Sequence, residues 1–201
     1  VQPRLVEEGA IDPLFSIVSQ GDGEDDESNR YAFSALSNIS SHKSHHSNLL
    51  RCDIVQQSLL FLESHDRDLV SSAALCLSNL ASNPESHETL KQFNALEKME
   101  PFLNQGRRQL QLRAVSFVRG LSTSTAMRSE LVQPTMRTTM LKLATWEDVE
   151  VQREVLAALC NLSQTGNIGD TPDSFLEKIE MRHLLSFLCS ADDVYRLFGA
   201  V

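Results

Sequence analysis

The sequence predicts an all-α protein assembled as a solenoid of repeated helical units. Three observations predict it. An apolar phrase recurs at a constant interval, apolar residues keep helical spacing upstream of each copy, and strand signals are nearly absent. The phrase reads Ala35-Leu36-Ser37-Asn38-Ile39-Ser40, then Cys76-Leu77-Ser78-Asn79-Leu80-Ala81, then Phe117-Val118-Arg119-Gly120-Leu121-Ser122, then Ala158-Leu159-Cys160-Asn161-Leu162-Ser163. Its fourth residue falls at 38, 79, 120 and 161, three equal steps of 41 residues. A period of about 40 to 47 residues marks helical solenoids, whose units bury their apolar faces only against one another. Of the 201 residues, 41% are hydrophobic but only 6% aromatic, a Leu- and Ala-packed balance that suits helices better than a sandwich or barrel.

Each unit is expected to hold three helices. The third runs up to the anchor and carries small or apolar residues three, five and six places before it: Ala35, Phe33 and Ala32; Cys76, Ala74 and Ala73; Phe117, Val115 and Ala114; Ala158, Leu156 and Val155. Those positions form one broad face at helical spacing. A second apolar helix precedes it over Ile11 to Val18, Ile54 to Leu62, Leu96 to Leu103 and Met136 to Leu143, and a shorter one comes first. Asn83-Pro84-Glu85 and Thr171-Pro172-Asp173 each read as a cap residue, a first-turn Pro and an acid favoured by the helix dipole. Thr145 with Asp148 resembles a capping box. Pro101 falls inside a second helix and is expected to kink it or delay its start.

Charge and cysteine usage narrow the function. The net charge of −9 disfavours nucleic acid and anionic membrane as partners. No apolar run approaches the ~18 residues that span a bilayer. Cys52, Cys76, Cys160 and Cys189 are scattered in apolar runs and read as buried thiols. The sequons at Asn38 and Asn161 lie in helical packing segments where a glycan would not fit. Both features favour an intracellular, cytoplasmic setting.

The phrase Glu8-Gly9-Ala10-Ile11-Asp12-Pro13-Leu14 opening a second helix, with Ala-Leu-Ser-Asn-Ile-Ser closing the third, resembles the armadillo repeat family over nearly the whole chain. The resemblance implies a right-handed superhelix of three-helix repeats, one domain over residues 1–201. Its units are expected near 1–41, 42–83, 84–124 and 125–165, with a partial one at 166–201. The next anchor would fall at 202, so the chain is expected to be a segment of a longer solenoid. Vacuolar and junctional adaptors, nuclear import adaptors, axonemal scaffolds and Hsp70 exchange factors share this pattern.

In armadillo proteins the third helices line a concave groove and the phrase Asn bonds a peptide backbone, which implies that role for Asn38, Asn79 and Asn161. An amide offers both donor and acceptor to the alternating groups of an extended chain. The competing reading is that each Asn bonds a helix carbonyl nearby. Gly120 interrupts the column. Four and eight places before the anchors stand Ser34 and Arg30, Leu75 and Ser71, Ser116 and Leu112, Ala157 and Arg153. None is aromatic, unlike the Trp of nuclear import adaptors at this place, so classical basic-signal recognition is not expected. Between Gly106 and Arg137 lie Arg107, Arg108, Arg113, Arg119, Arg128 and Arg137 against the single acid Glu130. Guanidinium groups suit bidentate bonding to carboxylate or phosphate. An acidic or phosphorylated segment is therefore the expected ligand, touching Arg30, Arg113, Arg119, Arg153, Ser34, Leu75 and Ser116; pairing of the arginines with acids of adjacent repeats is the alternative.

Other signals carry less. His42-Lys43-Ser44-His45-His46 matches no zinc spacing. Asp22-Gly23-Glu24-Asp25-Asp26-Glu27 lacks the Gly and Glu of a calcium loop and reads as an acidic loop between second and third helices. Trp146 is read as packing in an inter-helix corner, with a ligand-facing role as the alternative. No nucleophile–base pair, carboxylate pair or phosphate loop has meaningful spacing. The expected function is a non-enzymatic adaptor for other proteins, needing no cofactor or metal and taking no nucleic acid, membrane or small molecule. Its rivals are an Hsp70 nucleotide exchange factor and a regulatory repeat region of a larger enzyme.

Overall fold

The computed structural model describes residues 6, 9–20 and 27–164. Two compact units divide the chain, Val1–Pro101 and Phe102–Val201. In the first lie α1 (Ile11–Gln20), α2 (Glu27–Ile39), α3 (His46–Arg51), α4 (Ile54–Phe61), α5 (Arg67–Ala81), α6 (His87–Gln92) and most of α7 (Ala95–Leu103). The second holds α8 (Arg108–Leu121), α9 (Arg128–Leu131), α10 (Pro134–Ala144) and α11 (Val149–Gln164). Short 3-10 turns at Lys43–His45 and Pro84–Ser86 lead into α3 and α6. Among the described residues there is no strand, and no helix is long and apolar enough to cross a membrane. The Thr171-Pro172-Asp173 cap, Cys189, the partial unit from residue 166 and all of the acidic stretch but Glu27 lie outside the described residues.

The third helices pack in pairs, α2 with α5 in the first unit and α8 with α11 in the second. The face that spacing assigned to burial is the face that packs. Phe33, Ala74, Phe117 and Leu156 are fully buried, as are Leu36, Leu77 and Leu80 one or two places from the anchors; Ala35 is only half-buried. Phe33 meets Phe61 of α4 edge to face, ring centres 4.7 Å apart, an arrangement aromatic quadrupoles favour. Small residues at Ala73, Ala74, Ala114 and Ala158 let the helices approach closely.

The links obey residue chemistry. Gly9, Asp53 and Asn94 take the left-handed conformation (φ 83°, 52° and 51°) just before α1, α4 and α7, and these residue types tolerate it best. At the fourth link Pro134 opens α10 instead. Pro101 does not delay its helix: α7 begins at Ala95 and runs through the exposed Pro101, which falls in the last turn. Asn83 caps Pro84–Ser86 through Glu85 N–H, as expected. The Thr145 and Asp148 pair does not form a capping box. Asp148 is itself the cap of α11, accepting from the Glu150 and Val151 amides, while Thr145 donates back to the Lys142 carbonyl.

The cap positions of α5, α8 and α11 fall at 41-residue steps, 66, 107 and 148. Asp66 accepts from Asp68 N–H (2.8 Å) and Leu69 N–H, as Asp148 does at its own helix. The matching residue of α8 is Arg107, in the extended backbone a cap needs but with no side-chain cap bond. Arg107→Asp should therefore raise stability by about 1 kcal/mol in urea unfolding. An unchanged or lower stability would show that α8 does not start as its sisters do.

A second repeated device closes the third helices. His46 Nε2 donates to the Ser40 carbonyl (2.6 Å) and His87 Nε2 to the Ala81 carbonyl (2.7 Å). A carbonyl only accepts, so Nε2 carries the proton, and both Nδ1 atoms are buried without a partner. The matching residue of the third link is Arg128, whose guanidinium donates instead to the Leu162 carbonyl of the following third helix. Burial, chiefly, holds the His46 pKa below its ordinary value; Lys43 and His45 act the same way, and the Ser40 carbonyl and Glu85 oppose them. The unfolded chain then takes up this proton first, so the stability His46 contributes is present above about pH 6.5 and declines as pH falls from there towards the lower folded-state pKa. The melting temperature should drop between pH 7.5 and 5.5, and His46→Gln should flatten that slope; an equal slope in the variant would exclude His46 as its source.

Candidate functional site

The solvent-facing sides of the paired third helices carry the anchor column and the residues four and eight before it. In the first unit Asn38 is exposed, Ser34 and Arg30 on α2 are half-buried, and so are Asn79, Leu75 and Ser71 on α5. Between the two helices lies an open cavity of about 370 Å³ lined by Arg30, Tyr31, Ser34, Asp68, Ser71 and Ser72. Tyr31 is 67% exposed, its hydroxyl on the Glu27 carboxylate, and Arg30 stands 3.5 Å from Asp66. In the second unit Gly120, Ser116 and Leu112 on α8 and Asn161 and Ala157 on α11 are half-buried, and Arg113 and Arg153 are exposed.

Asn79 reaches a carbonyl of the neighbouring helix, as the competing reading expects, and both Asn79 and Asn161 add a serine hydroxyl that neither reading names. Asn79 Nδ2 donates across to Ser40 Oγ at 3.0 Å, with the Ser37 carbonyl at 3.5 Å. Asn161 Nδ2 donates to Ser122 Oγ at 2.9 Å. Each serine sits two places after the preceding anchor and passes its own proton to a carbonyl three residues back, Ser40 to Ser37 and Ser122 to Arg119, both at 2.6 Å. The same three-atom relay therefore forms once in each unit. It commits the donor end of the amide to the neighbouring helix, and Oδ1 of Asn79 and of Asn161 keeps no hydrogen-bond partner among the described residues. The signal was present in the phrase itself: where Asn is replaced by Gly120, the Ser two places after the preceding anchor is replaced by Ala81.

The basic island is largely engaged. Arg108 bonds both Asp148 and Glu150, holding the Asp148 carboxyl below its usual range. Arg119 Nη1 bonds Glu154 Oε1 at 2.8 Å, and Ser116 Oγ bonds Glu154 Oε2 at 3.0 Å. Arg113 has no ion-pair partner among the described residues. Trp146 does not pack into a corner: it is 43% exposed beside an open cavity of about 260 Å³, with Lys142 Nζ 5.8 Å from its ring centre. The same cavity is lined by Leu143, Arg108 and Asp148.

The histidines of the first link do not converge. His46 turns inward to Ser40, and His42 and His45 stand with ring centres 5.9 Å apart; no group of three metal-ligating side chains forms among the described residues. Cys76 and Cys160 are buried as expected, and burial pushes both thiols up to about 11. Cys52 is only half-buried, its thiol on Asp12.

No family model and no curated protein matches the sequence. Solved structures do match. The designed armadillo repeat protein YIII(Dq)4CqI is 18% identical, with a TM-score of 0.82 over 99% of this chain and 83% of its own. A second designed armadillo repeat protein, in complex with the peptide (KR)4, is 19% identical with a TM-score of 0.79 over 99% and 82%. A third, computationally designed for modular peptide recognition, is 19% identical with a TM-score of 0.79 over 99% and 83%. The chain has the armadillo-repeat fold, the all-α solenoid class expected from the 41-residue period.

Proposed function

We propose that this armadillo-fold chain is a non-enzymatic scaffold that holds extended peptide segments of other proteins along its third-helix faces. Its units follow the boundaries set by the anchors, as one domain. The observation that carries the reading is the open Oδ1 of Asn79 and Asn161 on half-exposed faces whose flanking positions are Ser, Leu, Ala and Arg. Such a face offers a peptide backbone an acceptor and its side chains shallow polar seats. Two of the similar solved structures were designed for peptide recognition or hold a peptide, which supports the same reading.

Asn38, Asn79 and Asn161 are the backbone contacts, and Arg30, Ser34 and Leu75 flank them in the first unit. Arg113, Arg119, Arg153 and Ser116 give the second unit a preference for acidic segments. An intracellular adaptor role fits buried thiols that burial keeps protonated.

The two possible duties of the column separate cleanly because Asn38 makes no inter-helix bond among the described residues whereas Asn79 does. Against peptides selected from a random display library, Asn38→Ala should weaken binding roughly 5-fold without moving the melting temperature, since it removes about one hydrogen bond. Asn79→Ala should weaken binding and also lower stability by about 1 kcal/mol. Full binding by Asn38→Ala, with only stability lost in Asn79→Ala, would reduce the column to a structural role.

A further inference from the structure

We infer that Ser116 and Arg119 form a carboxylate seat for an acidic side chain of the ligand, and that in the free chain Glu154 occupies it as an internal stand-in. The inference rests on the peptide-binding reading above. Its geometry is printed by Glu154 itself. One oxygen of that carboxylate lies 3.0 Å from Ser116 Oγ and the other 2.8 Å from Arg119 Nη1, so two donors from one helix hold both oxygens of one group. Ser116 stands four residues before Gly120, on the face that carries the anchors. Gly120 brings no side chain to that face, where Asn38, Asn79 and Asn161 each bring an amide.

The seat is open and its occupant is lightly held. The Arg119 side chain is 50% exposed and that of Glu154 21%. Water reaches the pair from the half-exposed Arg119 side and screens its Coulomb attraction, and both long side chains lose freedom in making it. Exchange for a ligand carboxylate therefore costs little. Arg108 differs in being shared by two carboxylates, Asp148 and Glu150, so a ligand would have to displace two groups there. Arg113, three residues before Ser116 on the same helix and without an ion-pair partner among the described residues, adds positive charge beside the seat. Glu154 thus acts as a competitor that any acidic ligand must displace, setting a threshold on how acidic a segment must be.

The test is fluorescence anisotropy of labelled (Glu-Ala)5 and (Gln-Ala)5 peptides titrated with the 201-residue chain at low salt. Glu154→Gln should bind (Glu-Ala)5 roughly 3- to 10-fold more tightly than the unaltered chain, since one weak exposed pair is lost to the competition. Glu154→Ala, which removes the occupant, should gain at least as much. The gain should vanish in Arg119→Gln/Glu154→Gln and be absent for (Gln-Ala)5. Thermal melts of each variant identify any that fails to fold, and two occupant variants guard against one being lost. Equal or weaker binding by both, a gain that survives without Arg119, or no binding of (Glu-Ala)5 by any variant would overturn the seat. Peptide binding that depends on Asn38 but ignores residue 154 would remove the seat and leave the scaffold reading standing.

Discussion

The close approach of consecutive third helices is the constraint from which the rest of each unit follows. Their contact faces carry Ala, Cys, Leu, Val and Phe at fixed offsets from the anchors, and nearly all are fully buried. Burial at about 25 cal/mol per Å² of apolar surface supplies the attraction, while small residues such as Ala73, Ala74 and Ala158 set the distance. A helix pair held that closely brings Asn79 within reach of Ser40 and Asn161 within reach of Ser122. The relay is a consequence of register, and it also pins register, because a shift by one residue would bury an unpaired amide and hydroxyl.

This arrangement gives the anchor amides two roles at once. The donor ends of Asn79 and Asn161 tie neighbouring helices together, and their acceptor ends have no hydrogen-bond partner among the described residues. Under the proposed function such a column would be one-sided, offering oxygen to a peptide N–H while the donors come from Ser and Arg beside it. In the proposed peptide-binding reading the arginines of α8 set the preference of the second unit, and the acids of α11 engage some of them. Arg108 is closed by two carboxylates, Arg119 is shared with Glu154, and Arg113 stands clear.

Sequence reasoning reached the period, the second- and third-helix positions and the buried face because each depends on side-chain type at helical spacing, which a single chain repeats four times. It also placed the Asn83 cap. What it missed are side-chain contacts that spacing alone does not pair: the Ser40 and Ser122 acceptors and the grip of Glu154 on Ser116, between residues 38 or 39 apart, and the inward turn of His46 to a carbonyl six residues back. The pairing of Arg119 with an acid of the adjacent repeat is the alternative that the sequence offers for the arginines. Asp148 was assigned to the wrong device because a capping box and a simple Asp cap look alike in sequence and differ only in which amide is in reach. The place of Trp146 at the start of a third helix allows packing or a ligand-facing role, and its 43% exposure goes against packing.

The amide–hydroxyl relay is the sharpest expression of the 41-residue register, and a double-mutant cycle measures it directly. Urea unfolding of Ser40→Ala, Asn79→Ala and the double variant should give a coupling of about 0.5–1.5 kcal/mol, with a similar value for Ser122 and Asn161. Additive effects, with coupling below about 0.3 kcal/mol at both pairs, would mean that these residues do not occupy equivalent, facing places in successive repeats.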